Sequence, residues 1–197
     1  MPGIGGNIKT GLLFGSFNPV HIGHIAIAAY TKEFAGMDEI WFIVSPQNPF
    51  KSPENLASPQ SRLQMVNLAT KSHKGLITSD IEFSMPVPSY TLDTMKKLKE
   101  SHPERAFWII TGTDNISSII SWKGGRTLVR QYNFLVYPRP GSDNSRLDFF
   151  SNATVMDAPV IEISSSFIRR SIKEGKDMRA FVPSGAYDFL MANKLYT

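Results

Sequence analysis

The chain has 197 residues, 21 Lys and Arg against 17 Asp and Glu, and a formal net charge of +4. Its 42% hydrophobic content suits a folded domain, and a chain of this length buries roughly 70% of its unfolded surface, so one self-sufficient core is expected. The absence of Cys excludes disulfide frameworks, thiolate nucleophiles and Cys-ligated metal centres, leaving His, carboxylates and hydroxyls as the available chemistry.

The opening MPGIGGNIKTGLLFG places Lys9 where a secretory signal would need its apolar core, and the longest apolar runs, such as IWFIV, are strand-sized. None approaches the roughly 20 residues of a membrane span, so a cytoplasmic protein without a membrane partner is expected. An excess of four charges is mild beside nucleic-acid-binding domains, and a small phosphorylated ligand accounts for it equally well.

In chain order, the apolar run 8–14 predicts a first strand, followed by GSFNP and a helically spaced segment, HIGHIAIAAYTKEF. A second strand at 40–44 leads through SPQNP to SPQSRLQMVNLATKS, again helical in spacing, and a weaker strand is read over 76–83. SYTLDTMKKLKES predicts the next helix, 107–111 a strand running into TGTDN, and 132–137 a strand running into PRPG. A further weak strand over 154–161 precedes a C-terminal helical segment beginning with SSFIRRSIKEG. Strand and helix alternate, so the expectation is one α/β domain over residues 1–197, a parallel sheet flanked by helices. In such a sheet the strand carboxyl ends share one edge, where GSFNP, SPQNP, TGTDN and PRPG would converge and a ligand would bind.

The densest local signal is GSFNPVHIGH, residues 15–24. Gly15 permits close backbone approach and Pro19 fixes a turn. His21 and His24 are three apart, on one face of a helix start whose unpaired N–H groups favour an anion. The plain alternative is a pair of polar residues satisfied by backbone. A zinc site lacks a third ligand nearby, so no protein-held metal is expected. ISSSFIRR, residues 163–170, has the same duality: the serines cap a helix, or with Arg169 they cradle a phosphate.

Together GSFNPVHIGH and ISSSFIR resemble the two signatures of the nucleotidyltransferase superfamily with the HxGH motif. PSYTLDTMKKLKESHP, IITGTDN, SWKGG and YPRPG resemble the nicotinate (or nicotinamide) mononucleotide adenylyltransferase family in particular, so the likeness spans nearly the whole chain. The resemblance implies a Rossmann-like sheet and adenylyl transfer from ATP to nicotinate mononucleotide, with magnesium carried by the ATP phosphates. By the same resemblance His21 and His24 contact the ATP phosphates, and Gly15, Ser16 and Phe17 line the junction between the two nucleotides. Ser165, Ser166 and Arg169 hold the outgoing pyrophosphate. Gly112 and Asp114 match a Gly-Ala-Asp whose acid binds ribose hydroxyls, Thr113 replacing the Ala. Trp122 matches a Trp stacked on the pyridine ring, and Thr91 a Thr near the pyridine substituent, against plain readings as a core Trp and a helix cap.

The chain departs from the pattern elsewhere too. Phe14-Gly15-Ser16-Phe17-Asn18-Pro19 stands where bacterial relatives have Gly-Gly-Thr-Phe-Asp-Pro, and Ser166 replaces a Thr. Asn48-Pro49-Phe50-Lys51 stands for Pro-Pro-His-Lys, keeping Lys51 as a phosphate contact or a solvated loop charge. Arg139 matches the family's Arg-Pro-Gly and receives no role. Three other readings stay open: nicotinamide mononucleotide as acceptor, a sister enzyme such as phosphopantetheine adenylyltransferase or a cytidylyltransferase, and a nucleotide- or nucleic-acid-binding module without catalysis. The sequence leaves the oligomeric state, homo-oligomer included, undecided.

Overall fold

A computed structural model of the chain describes residues 7–48, 56–141 and 147–197. The strands are β1 (Ile8–Gly15), β2 (Glu39–Val44), β3 (Leu76–Ser79), β4 (Arg105–Gly112), β5 (Asn133–Tyr137) and β6 (Ala153–Val155). The helices are α1 (Ile22–Phe34), α2 (Pro59–Thr70), α3 (Thr91–Ser101), α4 (Thr113–Ile119), α5 (Gly125–Gln131), α6 (Ser165–Lys173) and α7 (Ser184–Ala192). Among the described residues no helix is long and apolar enough to cross a membrane.

All six strands run parallel in the order β3-β2-β1-β4-β5-β6. Period-2 alternation divides their side chains between two cores. Leu13, Phe42, Ile110 and Leu135 point to one face, where α1, α2, α6 and α7 supply Ala28, Val66, Ile168 and Leu190. Leu12, Ile43, Ile109 and Phe134 point to the other, against Met95 and Leu98 of α3, Ile116 of α4 and Leu128 of α5. The near-continuous apolar strands of a parallel sheet follow from this burial on both faces. Strand order reverses between β1 and β4, whose neighbouring carboxyl ends therefore open a crevice.

Two expected strands are shorter than the sequence suggests. The run 76–83 leaves the sheet after Ser79, because Ile81–Ser84 winds into a 3-10 turn. The run 154–161 contributes only Ala153–Val155, and Pro159 lacks the N–H that continued pairing would use.

Candidate active site

The crevice is floored by the turn from β1 to α1. A Cβ on Gly15 would sit 2.9 Å from the Phe17 ring, so only glycine lets that ring fold back over the strand end. Phe17 takes φ +46°, a left-handed conformation that a bulky residue adopts only where its surroundings enforce it. The enforcement is visible at Asn18, whose Oδ1 accepts from the Ala57 N–H at 3.0 Å and the Tyr196 hydroxyl at 2.6 Å. Its carbonyl accepts from Arg169 Nη1 at 2.9 Å.

His21 is the N-cap of α1, and its backbone N–H donates to His24 Nδ1 at 3.2 Å. That bond places the proton of a neutral His24 ring on Nε2, making Nε2 its donor. The two imidazoles stack with centroids 3.7 Å apart, and Phe17 meets His24 edge-on at 5.0 Å. His21 is 4% exposed, and its Nδ1 has no hydrogen-bond partner among the described residues. Burial, and then the charge of Arg139, pull its pKa down to about 4, so its ring is neutral at neutral pH.

Two cavities adjoin here. One, of about 880 Å³, gathers His21, His24, Asp114, Arg139, Ser166 and Arg169. The other, of about 560 Å³, is bounded by Gly15, Ser16, Phe17, Thr91 and Trp122, with Tyr90 beside them. His24 and Ser165 border both. Arg139 is fixed by Nη1 on the Ile161 carbonyl at 3.0 Å and by its own N–H on Thr113 Oγ1 at 2.8 Å, its Nε buried and without a partner among the described residues. The first cavity thus sets Arg139, Arg169, His24 and the serine hydroxyls, donors for a polyphosphate, beside the carboxylates of Asp114 and Glu162, and the second is a mixed aromatic and polar pocket suited to a heterocycle.

The expected residues sort as follows. At α6 the true cap is Ser164, whose Oγ accepts from the Phe167 N–H at 3.2 Å. Ser165 and Ser166 are therefore released from capping; Ser165 Oγ donates to the Pro19 carbonyl at 2.9 Å and Ser166 Oγ accepts from Arg169 Nη2 at 3.3 Å. Thr91 is the first residue of α3 behind the N-cap Tyr90, and no side chain caps that helix. Trp122 lies half-buried between α4 and α5 with part of its surface in the second cavity. Gly112 borders neither cavity; it precedes α4, and a Cβ there would collide with Asp114 Oδ1 and stand 3.0 Å from Tyr137. Its role is to leave room for Asp114 at the cleft. Lys51 lies outside the described residues.

Sequence reasoning missed two buried charges. Arg62 is 0% exposed and donates to four backbone carbonyls: Ser16 and Ser45, both at 2.7 Å, Pro46 at 2.5 Å and Ala57 at 3.0 Å. It binds the turns after β1 and β2 together from below. A signal existed, since Arg62 falls in register with Met65, Val66 and Ala69 on the buried stripe of α2. Glu82 is 3% exposed, borders the second cavity, and accepts from Ser89 Oγ at 2.5 Å and Thr94 Oγ1 at 2.8 Å. Its place in a 3-10 turn rather than the expected strand hid it.

A family model described as cytidylyltransferase-like matches residues 12–171. Probable nicotinate-nucleotide adenylyltransferases of Flavobacterium johnsoniae and Bacteroides fragilis are 41% and 45% identical, the matches covering 96% and 91% of this chain and 99% and 89% of theirs. A Plasmodium falciparum nicotinic acid mononucleotide adenylyltransferase, solved in complex with NaAD, superposes with a TM-score of 0.82 at 25% identity, covering 95% of this chain and 97% of that one. The chain therefore belongs to the cytidylyltransferase-like family, among its nicotinate-nucleotide adenylyltransferases.

Proposed function

We propose that the chain transfers the adenylyl group of ATP to nicotinate mononucleotide, releasing pyrophosphate and forming nicotinate adenine dinucleotide, a step of NAD synthesis. The observation that carries this reading is the junction of an arginine- and hydroxyl-bearing cleft and a heterocycle-sized pocket at His24 and Ser165, so that two nucleotides seated in them would meet at that point. The names of the relatives favour the nicotinate form of the acceptor.

The attacking group is the acceptor's 5′-phosphate, largely dianionic at neutral pH because its second pKa is about 6. No general base is required. Catalysis reduces to aligning that oxygen with the α-phosphorus and offsetting charge on the phosphoryl and leaving oxygens. His24 would donate from Nε2 to the α-phosphate as charge builds, neutral His21 would complete the cleft, and Arg169 with Ser165 and Ser166 would hold the departing pyrophosphate. Asp114 would take the ribose hydroxyls, and Thr91 and Trp122 the pyridine end. Among the described residues no three His, Cys, Asp or Glu side chains converge as a metal cage. Arg139, Arg169, His24 and the serine hydroxyls of the cleft suit anions, and magnesium belongs to the proposal as the counter-ion that the triphosphate brings with it. A reducing cytoplasmic setting agrees with the Cys-free composition.

The test is pyrophosphate release from Mg-ATP with nicotinate mononucleotide, nicotinamide mononucleotide and phosphopantetheine at matched concentrations. Fastest turnover with nicotinate mononucleotide is expected. Release only with phosphopantetheine would assign the second pocket to another acceptor, and no release with any would mark a binding module.

A further inference from the structure

Glu82 is a carboxylate sealed into the wall of the acceptor pocket with neutral partners only: the Ser89 and Thr94 hydroxyls on its two oxygens, Ser89 being in turn 3.5 Å from Ser45 Oγ. Among the described residues no Lys, Arg or His forms an ion pair with it. The other charged groups near the pocket are already engaged with each other, Lys123 standing 3.5 Å from Asp93 and 4.0 Å above the Tyr90 ring. Burial pushes the Glu82 carboxyl above the usual carboxylate range, and the hydroxyls around it offset the cost of its charged form only partly. A ligand carrying a positive charge into the same pocket would supply what the protein leaves out.

We infer that Glu82 is a specificity-determining residue, selecting acceptors whose ring is a cation. This rests on the pyridine-mononucleotide reading above, because an N-glycosylated pyridine bears a fixed positive charge on its ring. Tyr90 and Trp122 line the same pocket, and aromatic rings there add to the preference for a cation. Reduction of the ring to the dihydropyridine removes the charge and keeps nearly the whole shape. Discrimination between the two forms therefore reports how the pocket meets the ring's charge and not how it fits the ring's shape.

The experiment measures inhibition of nicotinate mononucleotide turnover by nicotinamide mononucleotide and by its 1,4-dihydro form, which carry the same substituents. The wild type should bind the oxidised form at least about tenfold more tightly, Glu82→Asp should keep that preference, and Glu82→Gln should lose most of it with the KM for ATP unchanged. An unchanged ratio in Glu82→Gln overturns the inference. If that variant does not fold, Trp122→Leu separates the aromatic share: a preference that survives in it supports the role, and a preference lost in it, or absent from the wild type, overturns it. Absence of turnover with any pyridine mononucleotide would be a different failure, that of the proposed reaction itself.

Discussion

Replacing Arg62 by Met tests how the site is held together. The substitution keeps an unbranched apolar stem in the core and removes the guanidinium, stranding the buried Ser16 carbonyl and the partly buried carbonyls of Ser45, Pro46 and Ala57. Stranding a buried acceptor costs about 1–3 kcal/mol each, and removing a buried, uncompensated cation returns part of that sum. The net expectation is a loss of about 3–5 kcal/mol, seen as a drop in Tm on the order of 10 °C for a chain of this size. Arg62→Lys should recover about half, since one ammonium with three donors cannot serve four acceptors arranged around a planar fork. Urea unfolding followed by far-UV circular dichroism measures the difference, with an unchanged m-value as the sign that only stability moved. A loss below about 1 kcal/mol in Arg62→Met would refute the reasoning, because it would mean that the two turns keep their geometry and find other donors without the guanidinium.

Four further outcomes are expected. His24→Ala should lower kcat by about 100-fold with a smaller change in either KM, and equal losses in both would contradict a donor acting in the transition state. Arg169→Ala should raise the KM for ATP, an unchanged value removing it from ground-state phosphate binding. Gly112→Ala should raise the KM for ATP on the order of tenfold by displacing Asp114, with kcat nearly kept; steady-state kinetics separate the two. The fourth concerns pH. The folded chain keeps His21 neutral down to about 4, whereas the unfolded chain takes up a proton near the ordinary 6.5, so this contribution is whole above 6.5 and is lost as pH falls toward 4. Between pH 7 and pH 5 the wild type should lose about 2 kcal/mol through this group, a loss absent in His21→Asn when urea midpoints at the two pH values are compared.

The parts of this fold that were legible in sequence are those where local pattern and tertiary use agree. The apolar runs of β1, β2, β4 and β5 are buried on both faces, and the turn residues at their ends do lie along one edge. Helices α4 and α5 were harder to see, because at seven residues each they span barely two turns and show too little periodicity. At the site, His21, His24, Ser166 and Arg169 were found because they cluster in two short motifs and meet in one cleft. Arg139, Arg62 and Glu82 escaped a functional reading because their importance comes from partners distant in the chain: Ile161, the β1 and β2 turns, and the Ser89–Thr94 segment. Only Arg62 left a trace, as a cation on an apolar stripe.

The position of β1 has a consequence for how the chain comes into being. Its partner on one side, β2, follows soon after, but the partner on the other is β4, with Ile8 against Arg105 and Leu13 against Ile110. A nascent chain that has made only β1 to β3 carries an open edge that is apolar along Leu12, Leu13 and Phe14, with Lys9 as the one charge of that strand. Cleavage or arrest before Arg105 should therefore yield a fragment that self-associates through that edge. The crevice lies at the same seam, so nucleotide binding arrives only when the two halves of the sheet have joined, and a half-made chain has no site with which to sequester ATP.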